Sequence, residues 1–126
     1  GTGFGGAEEG RRREIEAAAD KLGTAIGIAA LLRGTAYHAS NRRCYLPVDV
    51  CRHHNVPLEA VFAGTEPESL RGAVSTVAEA AEEHLSAARA ARAALPKGAP
   101  ALLLPAIPCG LFLNALRQRQ HRVLSA

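Results

Sequence analysis

The sequence contains neither tryptophan nor methionine, and aromatic residues make up only 4% of its 126 residues. Alanine-rich helices with so few large side chains bury little apolar area, which stabilises a fold by ~25 cal/mol per Å². We therefore expect other polypeptide surfaces to cover its remaining apolar faces. Because no methionine begins the chain, we expect a processed product or a fragment of a longer protein. The other proportions, 48% apolar and 21% charged, are typical of a globular protein.

A strong excess of one charge is also missing. Lys and Arg number 15 and Asp and Glu number 12, a difference of 15 − 12 = 3. A nucleic-acid-binding surface needs a clustered basic face, so we expect no nucleic acid among the partners. The one basic run, Arg11–Arg13, lies among Glu8, Glu9, Glu14 and Glu16. This mixture predicts a solvated, salt-bridged start of a helix.

Cysteine spacing is unlike that of a disulfide framework or a zinc site. The three cysteines, Cys44, Cys51 and Cys109, are odd in number and form no CxxC pair. We expect them to be reduced and half-buried. The neighbouring residues His53 and His54 would point about 100° apart on a helix, so they cannot readily chelate one metal ion. The sequence predicts no metal and no cofactor.

No apolar run is long enough to cross a bilayer. The longest one, Ala99–Leu113, falls short of the ~20 residues that a spanning helix needs, and it contains Pro100, Pro105 and Pro108. It predicts a core helix, and peripheral membrane contact is the alternative. No secretory signal is visible.

Helical periodicity is the main signal that the sequence does carry. Residues 1–7 are glycine-rich and predict a flexible segment, and a helical domain is expected over 8–126. Its first helix is predicted to end at Arg33, with Gly34 as a left-handed C-cap. Gly23 and Gly27 lie on one side of this helix, which predicts the close approach of another helix. The apolar face of the first helix is predicted to include Leu22, Ile26, Ala29 and Leu32.

The rest of the chain predicts one or two short helices and two more long ones. Thr35–Leu46 lacks periodicity and predicts an ordered loop. Pro47 and Pro57 predict the starts of short helical segments that end at Asn55 and Gly64.

Thr65 and Glu68 form a capping-box pattern before a long helix that is predicted to break at 96–98. A last helix is predicted over 99–123, kinked near Pro105 and Pro108. No strand signal and no internal repeat are visible, so the predicted fold class is all-α.

The stretch LGTAIGIAALLRGTAYHASNRRCYLPVDV, residues 22–50, resembles the second signature of the squalene/phytoene synthase family. In that family a helix reading roughly LG-x-A-x-QLTNILRD runs into VxxD and then a basic GR-x-YLP-x-D segment. The resemblance covers most of the chain from about Ile15, and it implies the C-terminal part of an isoprenoid-synthase-type helical fold. The residues that match in order and spacing are Leu22, Gly23, Ala25, Leu32, Arg33, Arg43, Tyr45, Leu46, Pro47 and Asp49.

The departures from the family pattern concern its metal ligands. The family's second DxxxD motif places two carboxylates one helical turn apart, where they hold magnesium ions that bridge to a diphosphate. Gly34 and His38 stand at these positions, and Gly27 and Ala30 match the family's Gln and Asn on the preceding turns. The resemblance thus implies a degenerate former metal and diphosphate site, and the loss of prenyl transfer. The family's first aspartate motif would lie upstream of this sequence.

A non-catalytic branch of the family, the mitochondrial complex I assembly factor 6 type, resembles the chain more closely. That branch has LR-x-T-x-YH in place of the aspartate motif, and the chain has this pattern from Leu32 to His38, followed by YLPVDVC. The resemblance implies a location in the mitochondrial matrix or on the matrix side of the inner membrane. It also implies protein partners in a large complex, above all respiratory complex I.

Five residues form a candidate vestigial anion or interface site, because guanidinium groups match phosphate and carboxylate geometry. They are Arg33, Arg42, Arg43, Tyr45 and Asp49. Surface or interface salt bridges are the alternative for the arginines, and Asp49 is expected to pair with an arginine or to stabilise the start of a short helix. His38 is either a new ligand or acid/base that replaces the lost aspartate, or it forms a hydrogen bond with Tyr37 or the loop backbone.

Three hypotheses of function follow. The first is a non-enzymatic scaffold that binds proteins as an assembly factor or accessory subunit of complex I. The second is a prenyltransferase that handles isoprenoid diphosphates and whose upstream half supplies an intact aspartate motif. The third is a lipid-binding module that keeps the apolar tunnel of the family without its chemistry.

Overall fold

The computed structural model describes residues 2–91 and 103–124. In these residues the chain forms α1 (Thr2–Arg33), α2 (Thr35–Ser40), α3 (Val48–His53), α4 (Leu58–Phe62), α5 (Glu68–Ala90) and α6 (Ala106–Gln118). The described ranges contain no strand, which confirms the all-α prediction. None of these helices has both the length and the apolarity to cross a membrane.

The core lies where α1 packs against α5. Buried residues recur every three or four positions along both helices, as an apolar helix face requires. From α1 they are Ala18, Leu22, Ala25, Ala29 and Leu32, and from α5 they are Leu70, Ala73, Val74, Val77, Ala78, Ala81, Leu85 and Ala88. The face predicted for the first helix is wrong at Ile26, which is 36% exposed.

Helix α6 packs against both long helices. It buries Leu113 and Leu116 in the core. The guanidinium of Arg117 forms an ion pair with Glu82 of α5, and Arg89 of α5 donates a hydrogen bond to the carbonyl of Ala106 (3.3 Å). These contacts hold α6 against α5 along its whole length.

A histidine joins α3 to α5. His54, the residue after α3, has Nε2 2.9 Å from the hydroxyl oxygen of Thr76. The close approach of the His54 ring to α5 requires glycine at position 72, because a Cβ on Gly72 would lie 2.9 Å from Nδ1 of His54. Glycine here provides the space for a close contact between helices.

Four helices end with the same hydrogen-bond pattern. An amide bonds back to the carbonyl five residues earlier at the ends of α2, α3, α4 and α6, which is the Schellman motif. The residue before each of these amides has positive φ: Arg42 (57°), Asn55 (55°), Gly64 (90°) and Gln120 (55°). Asn55 and Gly64 are therefore helix ends, as the sequence predicts. Arg42 and Gln120 have a side chain in a conformation that costs roughly 1 kcal/mol.

Several helix boundaries differ from the sequence-based prediction. Helix α1 begins at Thr2, earlier than the predicted start near Glu8; flexibility of residues 1–7 and the division at residue 8 stay predictions. The prediction that Gly34 is a left-handed C-cap is wrong, since its φ is −86° and its amide bonds to Ala30. The loop predicted at Thr35–Leu46 is wrong for Thr35–Ser40, which forms α2 because Thr35 and Ala39 are buried against the core.

The predicted capping box at Thr65 is also wrong. Helix α5 begins at Glu68 with Pro67 before it and has no side-chain cap. The amide of Thr65 instead closes the end of α4. The neighbouring carboxylate of Glu66 accepts the amides of Val123 and Leu124, each at 2.7 Å, and so holds the segment after α6.

The predicted kinks in the last helix are absent from the described residues. Pro105 precedes α6 and Pro108 lies in its first turn, where a missing N–H breaks no helical hydrogen bond. The predicted break at 96–98 and the part of the last helix before residue 103 lie outside the described residues.

The residues with positive φ at the helix ends can be tested by their effect on the free energy of unfolding. We expect Gln120→Gly to raise the free energy of unfolding by up to about 1 kcal/mol, because it relieves the strain of a side chain at positive φ. Gly64→Ala should lower this free energy by a similar amount. Urea denaturation of both variants measures the two effects. Equal stabilities of the three proteins would contradict the assignment of these conformations.

Candidate functional site

The two positions matched to the former aspartate motif share one side of the junction between α1 and α2. The amide of His38 donates to the carbonyl of Gly34 (3.0 Å), so they lie one helical turn apart. The imidazole extends over the glycine: a Cβ added to Gly34 would lie 3.3 Å from Nε2 of His38. This side of the helix therefore presents one imidazole and no carboxylate at the two positions.

The imidazole of His38 packs against two tyrosine rings. Its centroid is 4.6 Å from that of Tyr45, with the rings at 88°, and 5.5 Å from that of Tyr37, at 68°. Edge-to-face pairs of this kind contribute about 0.5–1.5 kcal/mol beyond burial. The carbonyl of His38 accepts the amide of Arg43 (2.8 Å). His38 thus contacts Tyr37 through its ring, and its bond with Arg43 belongs to the backbone. The side-chain hydrogen bond predicted from His38 to Tyr37 or to the loop backbone stays a prediction.

These rings border a cleft of about 310 Å³ that we call the tyrosine cleft. It is lined by Tyr37, His38, Asn41, Arg43 and Tyr45. Tyr37 is 70% exposed and Tyr45 is 51% exposed, and Nη1 of Arg43 donates to the Tyr45 hydroxyl (3.3 Å). None of the five lining residues is acidic. This set suits an anionic or aromatic group and not a magnesium ion, which prefers carboxylate oxygens.

The backbone beneath the tyrosine cleft is held by local hydrogen bonds. The carbonyl of Tyr37 accepts the hydroxyl of Ser40 (2.6 Å) and the side-chain amide of Asn41 (3.0 Å). The Schellman motif at Arg42 then reverses the chain, so that Arg43 and Tyr45 return to the side of His38. The cleft thus combines a helix end with the loop that follows it.

Arg42 and Asp49 lie away from the tyrosine cleft. The guanidinium of Arg42 donates to both oxygens of Glu59, at 2.9 and 3.1 Å, and it lies 5.1 Å from the ring centroid of Phe62. Asp49 is exposed in the first turn of α3, where a negative charge interacts favourably with the helix dipole. Among the described residues, Asp49 forms no ion pair.

Arg33 faces α6. Its guanidinium carbon lies 4.6 Å from the ring centroid of Phe112, in cation–π geometry. Together with Arg119 it borders a second cleft of about 320 Å³, whose other lining residues are Leu32, Ala36, Phe112, Val123 and Leu124. Of the five residues of the candidate anion site, the structure brings together only Arg43 and Tyr45.

Gly27 and Ala30 lie exposed on α1, on the same side as Gly34. No described residue comes within 4 Å of a Cβ added to Gly23 or Gly27. The close helix approach predicted from these glycines is therefore absent from the described part of the chain. Gly23, Gly27 and Ala30 thus form a strip of small, exposed residues on α1 that no other described helix covers.

The cysteines are free, with Cys44 and Cys51 half-buried and Cys109 buried. Burial, followed by the charge of Cys44 and a hydrogen bond with it, raises the pKa of Cys51 to about 11. Burial also raises the pKa of Cys109, although Arg89 and Arg33 oppose this effect. Within 2–91 and 103–124, no three His, Cys, Asp or Glu side chains are grouped to hold a metal ion.

The raised pKa predicts an unreactive thiol at Cys51. Relative to the ordinary value of 9.0, the thiolate fraction at neutral pH should fall about 100-fold, and alkylation by iodoacetamide should slow accordingly. Because the unfolded chain loses this proton first, the stability due to the neutral thiol is complete below pH 9.0 and is lost as the pH rises towards about 11. Mass spectrometry of native and urea-unfolded protein measures the labelling, and equal rates in both would contradict the prediction.

The described residues form an all-helical protein in which Gly34 and His38 lie one helical turn apart. A family model described as "Squalene/phytoene synthase" matches residues 4–126. The chain belongs to the squalene/phytoene synthase family. No solved structure matches the chain significantly.

The chain is similar to proteins named "NADH dehydrogenase (ubiquinone) complex I, assembly factor 6". It is 40% identical to the one from Bos taurus over 101 residues, which cover 80% of this chain and 30% of the relative. It is 37% identical to the one from Homo sapiens over 87 residues, covering 68% of this chain and 26% of the relative. The homolog from Dictyostelium discoideum is 32% identical over 111 residues, covering 87% and 31%. The chain therefore spans about a third of the length of these relatives.

Sequence reasoning did not identify three residues that contact the candidate site residues or line the tyrosine cleft with them. Asn41 has no periodic signal, and its role depends on the turn that follows α2. Glu59 and Arg42 are 17 residues apart and meet only because α4 packs beside α2. Phe112 reaches Arg33 from α6. A local pattern in the sequence marks none of these partners.

Proposed function

We propose that the chain is a non-enzymatic protein-interaction scaffold that acts in the assembly of mitochondrial respiratory complex I, as an assembly factor or an accessory subunit. The names of its relatives support this role. The observation that carries the proposal is the ring packing of His38. Its imidazole covers Gly34 and contacts Tyr37 and Tyr45 where the family's carboxylates would bind magnesium.

Magnesium chemistry supplies the physical reason. A diphosphate is bound through magnesium ions, and these hard cations take oxygen ligands, usually from carboxylates. Gly34 has no side chain, and His38 offers nitrogen atoms within a stack of rings. Gly27 and Ala30 add no polar group on the preceding turns. We therefore propose that these four positions are a degenerate former metal and diphosphate site, and that the protein needs no cofactor.

The exposed surface suits a role among proteins. Tyr37 and Tyr45 are exposed large side chains beside Arg43, and Tyr and Arg are residue types that dominate binding energy in protein interfaces. The uncovered small-residue strip on α1 offers a second flat surface. We propose protein partners in a large mitochondrial complex, and a location in the matrix or on the matrix side of the inner membrane.

Peripheral membrane contact is a second candidate property, and exposed apolar residues at the start of α6 favour it. Leu104, in the turn before α6, and Ile107 and Leu111, four residues apart on the helix, are 61%, 56% and 66% exposed. Arg119 and Arg122 follow at its C-terminal end, where they would meet anionic lipid head groups. The exposed apolar residues would lie on the bilayer surface without spanning it.

The proposed role is tested by native-size fractionation of mitochondria, with the chain detected by mass spectrometry. We expect it to migrate with complex I or its intermediates. Loss of the chain from the mature complex would identify an assembly factor, and its persistence there an accessory subunit. Migration as a small free protein would contradict the proposal.

The degenerate metal site is tested by calorimetric titration with magnesium and inorganic diphosphate. We expect the unmodified chain to show no magnesium-dependent binding, since Gly34 and His38 supply no carboxylate. The double variant Gly34→Asp and His38→Asp should gain magnesium binding, and Arg12→Asp provides a control for added negative charge. Magnesium-dependent diphosphate binding by the unmodified chain would contradict this part of the proposal.

A further inference from the structure

We propose that the tyrosine cleft binds an acidic segment of a partner protein, with Arg43 pairing with a carboxylate and Tyr37 and Tyr45 contacting the chain on either side. This inference rests on the proposed scaffold function and adds the chemistry of the partner to it. The juxtaposition that carries it is an arginine that lines the same cleft as two exposed tyrosines, with no acidic residue in the lining.

The charge of the cleft is uncompensated within the described part of the chain. Arg43 donates to the neutral hydroxyl of Tyr45 and has no ion pair among the described residues. A guanidinium has five N–H donors, so this one contact leaves most of them for a ligand. Glu59, the carboxylate nearby on α4, already accepts both hydrogen bonds from Arg42. An acidic group from another molecule would supply the missing partner.

Two tyrosines line the cleft, and tyrosine is a residue type that is enriched in protein-binding sites. Tyr37 is 70% exposed and Tyr45 is 51% exposed. Tyrosine provides a large contact area with only two rotatable side-chain bonds, so little conformational entropy is lost on binding. The edge-to-face packing of His38 against both rings restricts them further before a partner arrives.

The backbone of the cleft is also preorganised. Arg42 is held at a φ of 57° by the Schellman motif that ends α2, and this motif fixes the path of the chain from Asn41 to Arg43. The side-chain amide of Asn41 donates a hydrogen bond to the carbonyl of Tyr37. The cleft is thus held in its shape before a ligand binds, which lowers the conformational entropy that the protein loses on binding.

A protein carboxylate fits this cleft better than a diphosphate does. A diphosphate carries several negative charges and requires several cations, whereas the cleft contains one guanidinium without an anionic partner. The guanidinium of Arg42 is paired with Glu59, and Arg33 belongs to the second cleft beside α6. One carboxylate matches one guanidinium in charge and can form a two-pronged hydrogen bond with it.

Photo-crosslinking in mitochondria tests the inference. A photoreactive phenylalanine derivative replaces Tyr37, and mass spectrometry then identifies the residues to which it is joined. We expect joined segments that contain Asp or Glu beside the crosslink. Arg43→Glu should lower the crosslink yield about tenfold or more, because it places like charges opposite each other.

Matched variants make the result specific to charge in the cleft. Arg43→Lys keeps the positive charge but cannot form the two-pronged hydrogen bond, so its crosslink yield should lie between those of the unmodified chain and the Arg43→Glu variant. Arg52→Glu introduces the same reversal on the exposed side of α3, outside the cleft lining, and should leave the yield unchanged. Reversing the joined acidic residue of the partner to Arg should restore crosslinking to the Arg43→Glu variant. Circular dichroism verifies that each variant remains helical.

Crosslinks to segments without acidic residues, crosslinks to lipid, or a yield that Arg43→Glu does not change would each overturn the inference. These results leave the proposed function standing if the unmodified chain still migrates with complex I intermediates on native gels. Migration of the unmodified chain as a free protein would instead contradict the proposed function itself.

Discussion

The contact between α1 and α5 is the constraint on which the other helices depend. Alanines at the centre of this contact, Ala25, Ala73, Ala78 and Ala81, are completely buried. Small side chains allow a short distance between helix axes, and a larger residue at such a position would force the pair apart. Helices α3 and α6 pack directly on this pair. A chain with no tryptophan and only three phenylalanines therefore forms a core by close approach of alanine-rich faces.

The pair of α1 and α5 also determines the geometry at the two positions matched to the family's second aspartate motif. Because α1 ends with Leu32 anchored in the core, the next turn carries Gly34 and His38 on its outer side. Buried Thr35 and Ala39 continue the helical path into α2. The loop that follows returns Tyr45 against the imidazole. Aromatic packing thus occupies the side of the helix that carries the two positions matched to the family's aspartate motif.

Short helices with tight ends give this small chain its clefts. The Schellman motifs at Arg42 and Asn55 reverse the chain within a few residues, so that α3 and α4 lie close to α2 and α5. At the other end, Glu66 holds the segment after α6 and Arg33 stacks on Phe112. The cleft beside α6 therefore joins residues from distant parts of the sequence, whereas the tyrosine cleft is built from residues 37–45 alone.

The sequence by itself determined the helical class, the stop at Asn55 and the family signature, because these features depend on neighbours one or two turns apart. Only the tertiary structure decided that Thr35–Ser40 is helical and that Glu66, and not a capping Thr65, is engaged. It likewise decided that Arg42 pairs with Glu59 while Arg43 remains in the tyrosine cleft. Local periodicity encodes which residues share a helix face, whereas burial against distant helices selects the partner of each side chain.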